Sequence, residues 1–540
     1  MKKLPFNSFK NSQIILVKGR KVVYLIMQHI TGIPRNQMCF SSLEDTISSE
    51  NPIRFIDAFV ATLSLEALGF SVQTIKTEGR PSFDTKIFLK LYLYGYLNGL
   101  RSSRKLEKEC VRNIELQWLL CAIVPNYHSI SDFRKDNSSG LKKLFKLFVT
   151  FLKDADLIAG KTIAIDGTKS RAHNSKKANF NQKKIDKHLA YIEERTQEYL
   201  DEIAKNDQHE NAIVVTKIQE KIERLKKNKI RYELLEEKLQ ASGEPQISTT
   251  DQDARALLVQ GVVVEISYNI QAAVDNKHNL VVATHTINRN DLNALGTIAL
   301  EAKENLGLET FTVLVDKGYH NGREIAQCIN HNITTIVAHP TPGTSKESVT
   351  QPDYLVAKFI YNKDDDTYTC PQGETLKTTG RWHKKSGRTE QSGYQFRKYR
   401  TPACKTCPVK HLCTARPAGR EIDRSEYASA VEENNKRYQE NPQLYRKRQE
   451  INEHIFGTIK RQWGYNHTNL KGLDKVNGEH SLIMLVYNIK RSINILGVPD
   501  LIAKLKKWKS PYKTKGVRTF KRVYISLFKD LIEINLAIAA

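Results

Sequence analysis

The chain has 540 residues, 40% of them hydrophobic, and carries 84 Lys and Arg against 59 Asp and Glu, a net charge of +25. The apolar share is enough for real cores, and the length suggests about three or four domains. No run reaches the ~18–20 consecutive apolar residues of a membrane span, which excludes a helical transmembrane protein, while local clustering of the positive charge makes nucleic acid the default partner.

Met1-Lys-Lys starts like a signal peptide, but the nearby apolar run Ile14–Val17 is too short for its hydrophobic region. A cytoplasmic, nucleoid-associated protein is expected. Residues 1–50 stay unassigned, with weak strand propensity at Ile14–Val17 and Val22–Ile26. Residues 51–158 read as an all-helical domain. Phe83 to Leu100 is apolar almost all round and predicts a buried helix. Ser102 and Ser103 are candidate caps for a helix through Leu106 and Cys110. Ser129 and Ser131 are candidate caps for another, carrying Phe133, Leu141, Leu144 and Phe148. Arg101, Arg104, Lys105, Arg112 and Arg134 fall between and on these helices. They suit a DNA-binding module of helix-turn-helix type, or equally a helical packing or dimerisation domain with solvated basic faces.

Strand 163–165 opens a catalytic core over 159–182. From about 183 to 241, Ile185, Leu189, Ile192, Tyr199 and Ile203, then Ile218, Ile222, Leu225, Tyr232, Leu235 and Leu239, keep helical spacing. Asn206–Asn211 separates the halves and Gly243-Glu-Pro245 ends them, so 183–245 predicts an antiparallel, coiled-coil-like hairpin. The core resumes over 246–344. Strands are expected at Val262–Val264, Tyr268–Val274 and Leu280–Ile287, with a turn at Asp275-Asn276-Lys277. A helix over Asp291–Asn305, a strand over 311–315, a helix after Asn321 and a strand at Thr334–Ala338 follow. This is an α/β fold with a ribonuclease H-like element order and an insertion after its first strand. Residues 345–430 are turn-rich, polar and hold a cysteine cluster; 431–500 bring a helix around Glu453 and an apolar helix over Leu482–Ile495. In the tail, 501–540, residues 501–524 hold nine Lys or Arg and no acid, interleaved with Trp508, Tyr512, Phe520 and Tyr524. That suits backbone contact and base stacking, or a solvated tail.

Three carboxylates stand out. Asp166 and Asp316 each follow a short strand-type run and precede a turn with Gly167 or Gly318, an arrangement expected at the carboxyl ends of strands, where open α/β sheets keep their sites. Glu453 sits in a late helix between Arg446 and Lys460 on one face, with Glu450 as its competitor. Mg²⁺ prefers such hard oxygen ligands, and two ions about 3.5–4 Å apart can clamp the attacking and leaving oxygens of a phosphodiester. Lys169 adds a cation beside that site. Asp275 is a possible further ligand, though a turn role explains it as well.

Gly79-Arg-Pro81, Leu91-Tyr-Leu-Tyr-Gly-Tyr96, Arg101-Ser-Ser-Arg104 and Ile130-Ser-Asp-Phe-Arg134 resemble the N-terminal domain of bacterial insertion-sequence transposases. Asp166-Gly-Thr-Lys, Asp316-Lys-Gly-Tyr and Glu453-x-x-Phe-Gly-x-Ile-Lys460 resemble that group's three catalytic motifs. Asp251-Gln-Asp-Ala-Arg255 and Tyr268-Asn-Ile-Gln-Ala-Ala-Val-Asp275 resemble further blocks. The resemblance spans roughly residues 50–500. It implies a DDE transposase with a ribonuclease H-like core, in which Asp166, Asp316 and Glu453 hold two Mg²⁺ or Mn²⁺ ions. Water would cut at the transposon end, and the freed 3′-hydroxyl would attack target DNA. Lys169, Lys317, Tyr319, Arg446, Arg448 and Lys460 are the candidate contacts to double-stranded DNA, and a homodimer on DNA is expected. One departure concerns Arg448. Relatives often show Tyr, two residues, Arg, three residues, Glu; here four residues separate Arg448 from Glu453. The competing readings are a non-cutting DNA-binding protein of transposase descent and a ribonuclease H-like nuclease.

Of eight cysteines, Cys39, Cys110, Cys121 and Cys328 are scattered. Cys370, Cys404, Cys407 and Cys413 cluster in a segment too polar to build an apolar core. One Cys-x-x-Cys knuckle plus two thiolates suits a structural Zn²⁺ that would supply the missing folding energy. His383 and His411 are alternative ligands.

Overall fold

The computed structural model describes residues 14–17, 20–23, 34–38, 40–72, 82–207, 212–259, 263–340, 350–386 and 393–511. Gly79-Arg-Pro81, Cys39, Tyr512, Phe520 and Tyr524 lie outside these. A first compact unit, Met1–Ile47, contains the antiparallel pair β1 (Ile14–Val17) and β2 (Arg20–Val23). The second strand begins earlier than its propensity suggests.

The second unit, Ser48–Ala540, opens with six helices: α1 (Pro52–Ala61), α2 (Thr85–Leu97), α3 (Ser103–Arg112), α4 (Ile114–Leu119), α5 (Tyr127–Asp136) and α6 (Ser138–Asp154). Asn51 caps α1 by accepting from the Ile53 amide, with Pro52 at the first helical position. Asp84 caps α2, which is buried almost all round as its composition requires. The single helix expected after Ser129 is two helices. Asn126, not a serine, caps α5, accepting from the Ser129 amide at 2.9 Å. The chain breaks at Asn137, whose amide bonds Phe133 O at 2.8 Å and whose oxygen accepts from the Ser71 amide at 2.7 Å. Ser102 stands at the N-cap of α3 without a side-chain cap bond.

A six-stranded sheet follows. Its central strand is β3 (Thr162–Arg171). On one side β3 pairs in parallel with β9 (Phe311–Val315), which pairs in parallel with β10 (Ile333–Val337). On the other it pairs antiparallel with β7 (Val263–Asp275), whose far edge takes β6 (Arg255–Val259) and then β8 (Leu280–Ile287). Two expected strands are thus one long β7, and β6 is an additional strand. Between β3 and β6 the chain forms β4 (Asn179–Phe180), α7 (Gln182–Asp207), α8 (Ala212–Ser242) and β5 (Ile247–Ser248). Ile185, Ile192, Ile218, Ile222, Leu235 and Leu239 are buried along the α7–α8 seam, and β4 pairs with β5 at its root. The connections α9 (Leu295–Leu306) and α10 (Gly322–Asn330) precede β9 and β10. The helix expected from Asp291 starts later, after a 3-10 turn over Asp291–Asn293.

The cysteine-bearing segment is not irregular. It forms an antiparallel meander of β11 (Ile360–Asn362), β12 (Thr367–Thr369), β13 (Thr375–Lys385), β14 (Tyr394–Arg400) and β15 (Ile422–Ser425), with α11 (Lys410–Cys413) before the last strand. Nor does it lack a core. Phe359, Tyr368, Leu376, Tyr399 and Ile422 cluster, because strand pairing sets Tyr368 opposite Leu376 and Tyr399 opposite Ile422, gathering a few apolar side chains that overall polarity hides. Asp366 ties the sheet together. It accepts from Tyr361 Oη at 2.8 Å, Tyr399 Oη at 2.6 Å and Arg397 Nη1 at 2.8 Å.

Four helices close the unit: α12 (Ala428–Glu440), α13 (Pro442–Phe456), which runs into a π turn over Gly457–Gln462, α14 (Leu473–Leu496) and α15 (Val498–Lys507). Asn488 on α14 brackets β8, bonding Val281 N at 2.9 Å and Val281 O at 2.8 Å. Trp508 is not free for base stacking: its indole donates to Asp154 at 2.8 Å and packs on Phe151. No helix among the described residues is long and apolar enough to cross a membrane.

A fully buried charge lies where these layers meet. Glu479 on α14 is fully buried and accepts from Arg101 Nη2 at 2.7 Å, Tyr96 Oη at 3.1 Å and the amides of Asn469 and Leu470 at 2.9 and 3.1 Å. Arg134 lies 3.9 Å from the same carboxylate and donates to Tyr96 Oη and Arg101 O. Arg101 and Arg134 are therefore interior groups, not DNA contacts; Arg104, Lys105 and Arg112 are exposed. Burial opposes the charge on Glu479, but the two arginines prevail and hold its carboxyl down to about 2. Burial also holds the neighbouring His480 down to about 4. Truncating Glu479 to Ala strands two buried cations, so it should cost about 3–5 kcal/mol in urea unfolding, whereas a cost near that of an exposed pair would show the knot to be incidental. Both folded-state values lie below the ordinary ones. Their stabilisation is present at neutral pH and should be lost in acid, for His480 between its ordinary 6.5 and about 4, and for Glu479 between its ordinary 4.5 and about 2. An unfolding midpoint that does not shift to higher pH in Glu479→Gln would contradict this.

Candidate active site

Parallel pairing of β3 with β9 ends at Ile165 opposite Val315. The next residues along the two chains are Asp166 and Asp316, so register sets these carboxylates side by side. Asp316 follows the last residue of β9 and stands at the N-cap of a 3-10 turn over Lys317–Tyr319. Asp166 does not end its own strand. β3 continues to Arg171 because β7 pairs with it throughout, Asp166 opposite Ala272. The expectation of a strand end at Asp166 holds only on the β9 side.

α13 crosses the sheet here. Arg448 reaches both aspartates, Nη1 3.9 Å from Asp166 and Nη2 3.7 Å from Asp316. Burial pushes the Asp166 carboxyl up to about 6; the Gly167 amide and Arg448 pull it down, and Asp291 and Asp316 add to the rise. Glu453 and Glu450 are both exposed on α13. The helix face turned inward carries Ile451, Asn452 and Ile455, and both polar side-chain atoms of buried Asn452 lack a hydrogen-bond partner. The structure thus brings two of the three expected carboxylates together and leaves the third on the helix that touches them. Among the described residues, no three His, Cys, Asp or Glu side chains converge as a metal-binding group. Asp166 and Asp316 fit a hard divalent ion in donor chemistry and proximity; Glu453 does not join them in this arrangement.

A polar network beneath Asp166 escaped sequence reasoning. Asp291 accepts from Asn269 Nδ2 at 2.8 Å, Gln271 Nε2 at 2.9 Å and Lys169 Nζ at 3.0 Å. Gln271 in turn accepts from Tyr319 Oη. The cluster presses on β3 at Gly167, where a Cβ would collide with Gln271 Nε2 and come within 2.5 Å of Asp291 Oδ1. Close approach, not turn geometry, is why glycine follows Asp166. Despite burial, Lys169 and the two amides hold the Asp291 carboxyl below its usual range. The available signal was Asn269 and Gln271, polar residues alternating within an otherwise apolar central strand.

The remaining candidates divide. Lys317 and Arg446 are exposed. Lys169 is committed to Asp291, and Lys460 Nζ bonds Thr168 Oγ1 at 3.0 Å and Lys169 O at 2.9 Å, staking α13's extension to β3. Tyr319, expected to face DNA, is buried, because its hydroxyl completes the Gln271 amide. Asp275 lies at the other end of β7. Its carboxylate accepts the Ala159, Gly160 and Lys277 amides at 3.2, 2.7 and 2.9 Å, so it is a turn residue. Asp251 accepts from Tyr268 Oη at 2.7 Å and the Gly472 amide at 3.1 Å, and Asp253 from the Leu473 amide at 2.8 Å, anchoring the start of α14. In the meander, Cys370 and Cys413 pack on the aromatic core. Burial raises the Cys413 thiol, with smaller contributions from Cys404, Cys370 and Cys407. All four are free thiols.

Two family models match this chain. One, described as a transposase domain, covers residues 41–136, the helical region through α5. The other, described as a transposase DDE domain, covers residues 369–493, from the meander through α13 and most of α14. No curated protein and no solved structure matches. Through these two segments, together less than half of its length, the chain resembles insertion-sequence transposases of the DDE family.

Proposed function

We propose that this protein cuts DNA at insertion-sequence ends and joins the freed 3′-hydroxyl to target DNA. The observation that carries the reading is the register that sets Asp166 beside Asp316 under Arg448. A central first strand, with antiparallel strands to one side and two parallel strands to the other, supports a ribonuclease H-like core. Asp166 and Asp316 would hold Mg²⁺ or Mn²⁺, with Glu453 as the third donor because it rides the helix that already touches both. Bound divalent ions lower the pKa of water and stabilise charge on a phosphodiester. Arg448 offsets the charge of the two aspartates. Lys317 and Arg446, both exposed, are available to meet phosphates. The reading includes a homodimer acting on double-stranded DNA in the nucleoid, and a structural Zn²⁺ on Cys370, Cys404, Cys407 and Cys413.

Asp166→Asn, Asp316→Asn and Glu453→Gln should each reduce end cleavage to background while duplex binding without divalent ions persists. Near-normal cutting by Glu453→Gln, with loss in Glu450→Gln, would transfer the third role to Glu450. Cleavage without strand joining in the parent protein would mean a nuclease.

Gly167→Ala should destabilise the fold by about 1–3 kcal/mol through overpacking and lower cleavage, because the methyl displaces the Asp291–Gln271 network from beneath Asp166. Wild-type stability and rate would show that the network yields freely.

Purified parent protein, prepared without chelators, should contain one zinc by elemental analysis, and Cys404→Ser with Cys407→Ser should lose it. A metal-free parent would end the zinc reading.

A further inference from the structure

The charge of the meander is unevenly spent. β13 and its partner β14 hold seven Lys or Arg and no acid. On β14 the cations are answered from within the sheet. Arg397 pairs with Asp366 at 2.8 Å, and Lys398 and Arg400 pair with Glu421 at 3.1 and 2.6 Å. On β13, Lys377, Arg381, Lys384 and Lys385 are exposed. The strand is braced rather than loose: Trp382 stands opposite Arg397, whose guanidinium lies 4.6 Å from its ring centroid. Where β14 begins, Arg323 donates to Gly393 O at 2.8 Å and to Tyr427 Oη at 3.3 Å. Arg323 lies in the first turn of α10, the helix that follows the Asp316 turn. The end of β13 at Lys385, paired with Tyr394, therefore lies on the Asp316 side of the core.

We propose that β13 is a DNA-backbone contact surface, its exposed Lys377, Arg381, Lys384 and Lys385 supplying the charge that meets phosphates of duplex running to the aspartate pair. This rests on the transposase reading and adds a surface to it. Three physical points favour duplex DNA as the occupant: cations in excess of any acid on the strand, a sheet backbone braced by strand pairing, and tethering through Arg323 to α10, the helix that follows the Asp316 turn. Phosphate contacts of this kind are sequence-independent and release counterions, so they govern the salt dependence of binding.

The test uses the full chain, a duplex oligonucleotide of arbitrary sequence and a chelator, with affinity followed by fluorescence anisotropy across a salt series. Replacing Lys377, Arg381, Lys384 and Lys385 together by Ser should weaken binding at least tenfold at low salt. It should also flatten the log–log salt slope by roughly 0.9 for every phosphate that is no longer neutralised. Lys384→Arg with Lys385→Arg should keep the parent slope, since charge and not lysine is required. An unchanged slope in a quadruple variant that still binds DNA would overturn this proposal alone. Failure of the parent protein to bind duplex at all would overturn the transposase reading and this surface with it.

Discussion

A single buried carboxylate holds the architecture together. Glu479 reaches Arg101 and Tyr96 from the first helices and the amides of Asn469 and Leu470 from the loop before its own helix. Taking a carboxylate and two guanidiniums out of water is expensive; the hydrogen bonds accepted by the carboxylate offset part of that cost, while Arg101 Nε and Nη1 and Arg134 Nε have no hydrogen-bond partner among the described residues. What it secures is relative position. The loop it grips also pairs with the end of β3, where Arg171 N bonds Asn466 O at 3.0 Å and Thr468 N bonds Arg171 O at 2.8 Å. The amino-terminal helices, α14 and β3 are thereby fixed to one another through a few bonds.

The aspartate pair is fixed by a different kind of constraint. Strand register needs no special side chain, since Ile165 opposite Val315 suffices. The special chemistry lies one layer down, where Asn269, Gln271, Lys169 and Tyr319 converge around Asp291. A site that gathers negative charge gains from having one carboxylate fully satisfied by neutral amides and a cation, because its charge then weighs less on Asp166. Arg448 serves the same end from above.

Much of this was legible in the chain. The α7–α8 hairpin followed from helical spacing over some sixty residues, and the core strands from β-branched runs between turn residues. Asp166 and Asp316 were visible because acids after such runs are few. Three things were not legible. Arg101 and Arg134 resembled surface cations, since nothing local reveals that Glu479, more than three hundred residues away, will bury with them. Tyr319 sits beside Asp316 in sequence but turns inward to Gln271, which only sheet pairing brings close. The meander's core escaped because Tyr368, Leu376 and Tyr399 are separated by polar residues that average the segment to hydrophilic. Glu453 remains the least constrained of the three acids, since a helix pattern sets a face but not how the helix is rotated against a sheet.

The α7–α8 hairpin has a consequence for how the chain finds its fold. β3 and β7 are the most extensively paired strands, yet Arg171 and its partner Ser267 stand about a hundred residues apart in sequence, a separation whose closure entropy slows non-local pairing. The hairpin forms from local contacts and brings its own ends together, where β4 meets β5 and Ser248 bonds Asn174 and Asn179 at 2.8 Å. Once it has closed, the chain between β3 and β7 is effectively short. The hairpin then acts as a splint that turns a distant strand encounter into a near-neighbour one, with Asp166 on the strand it delivers.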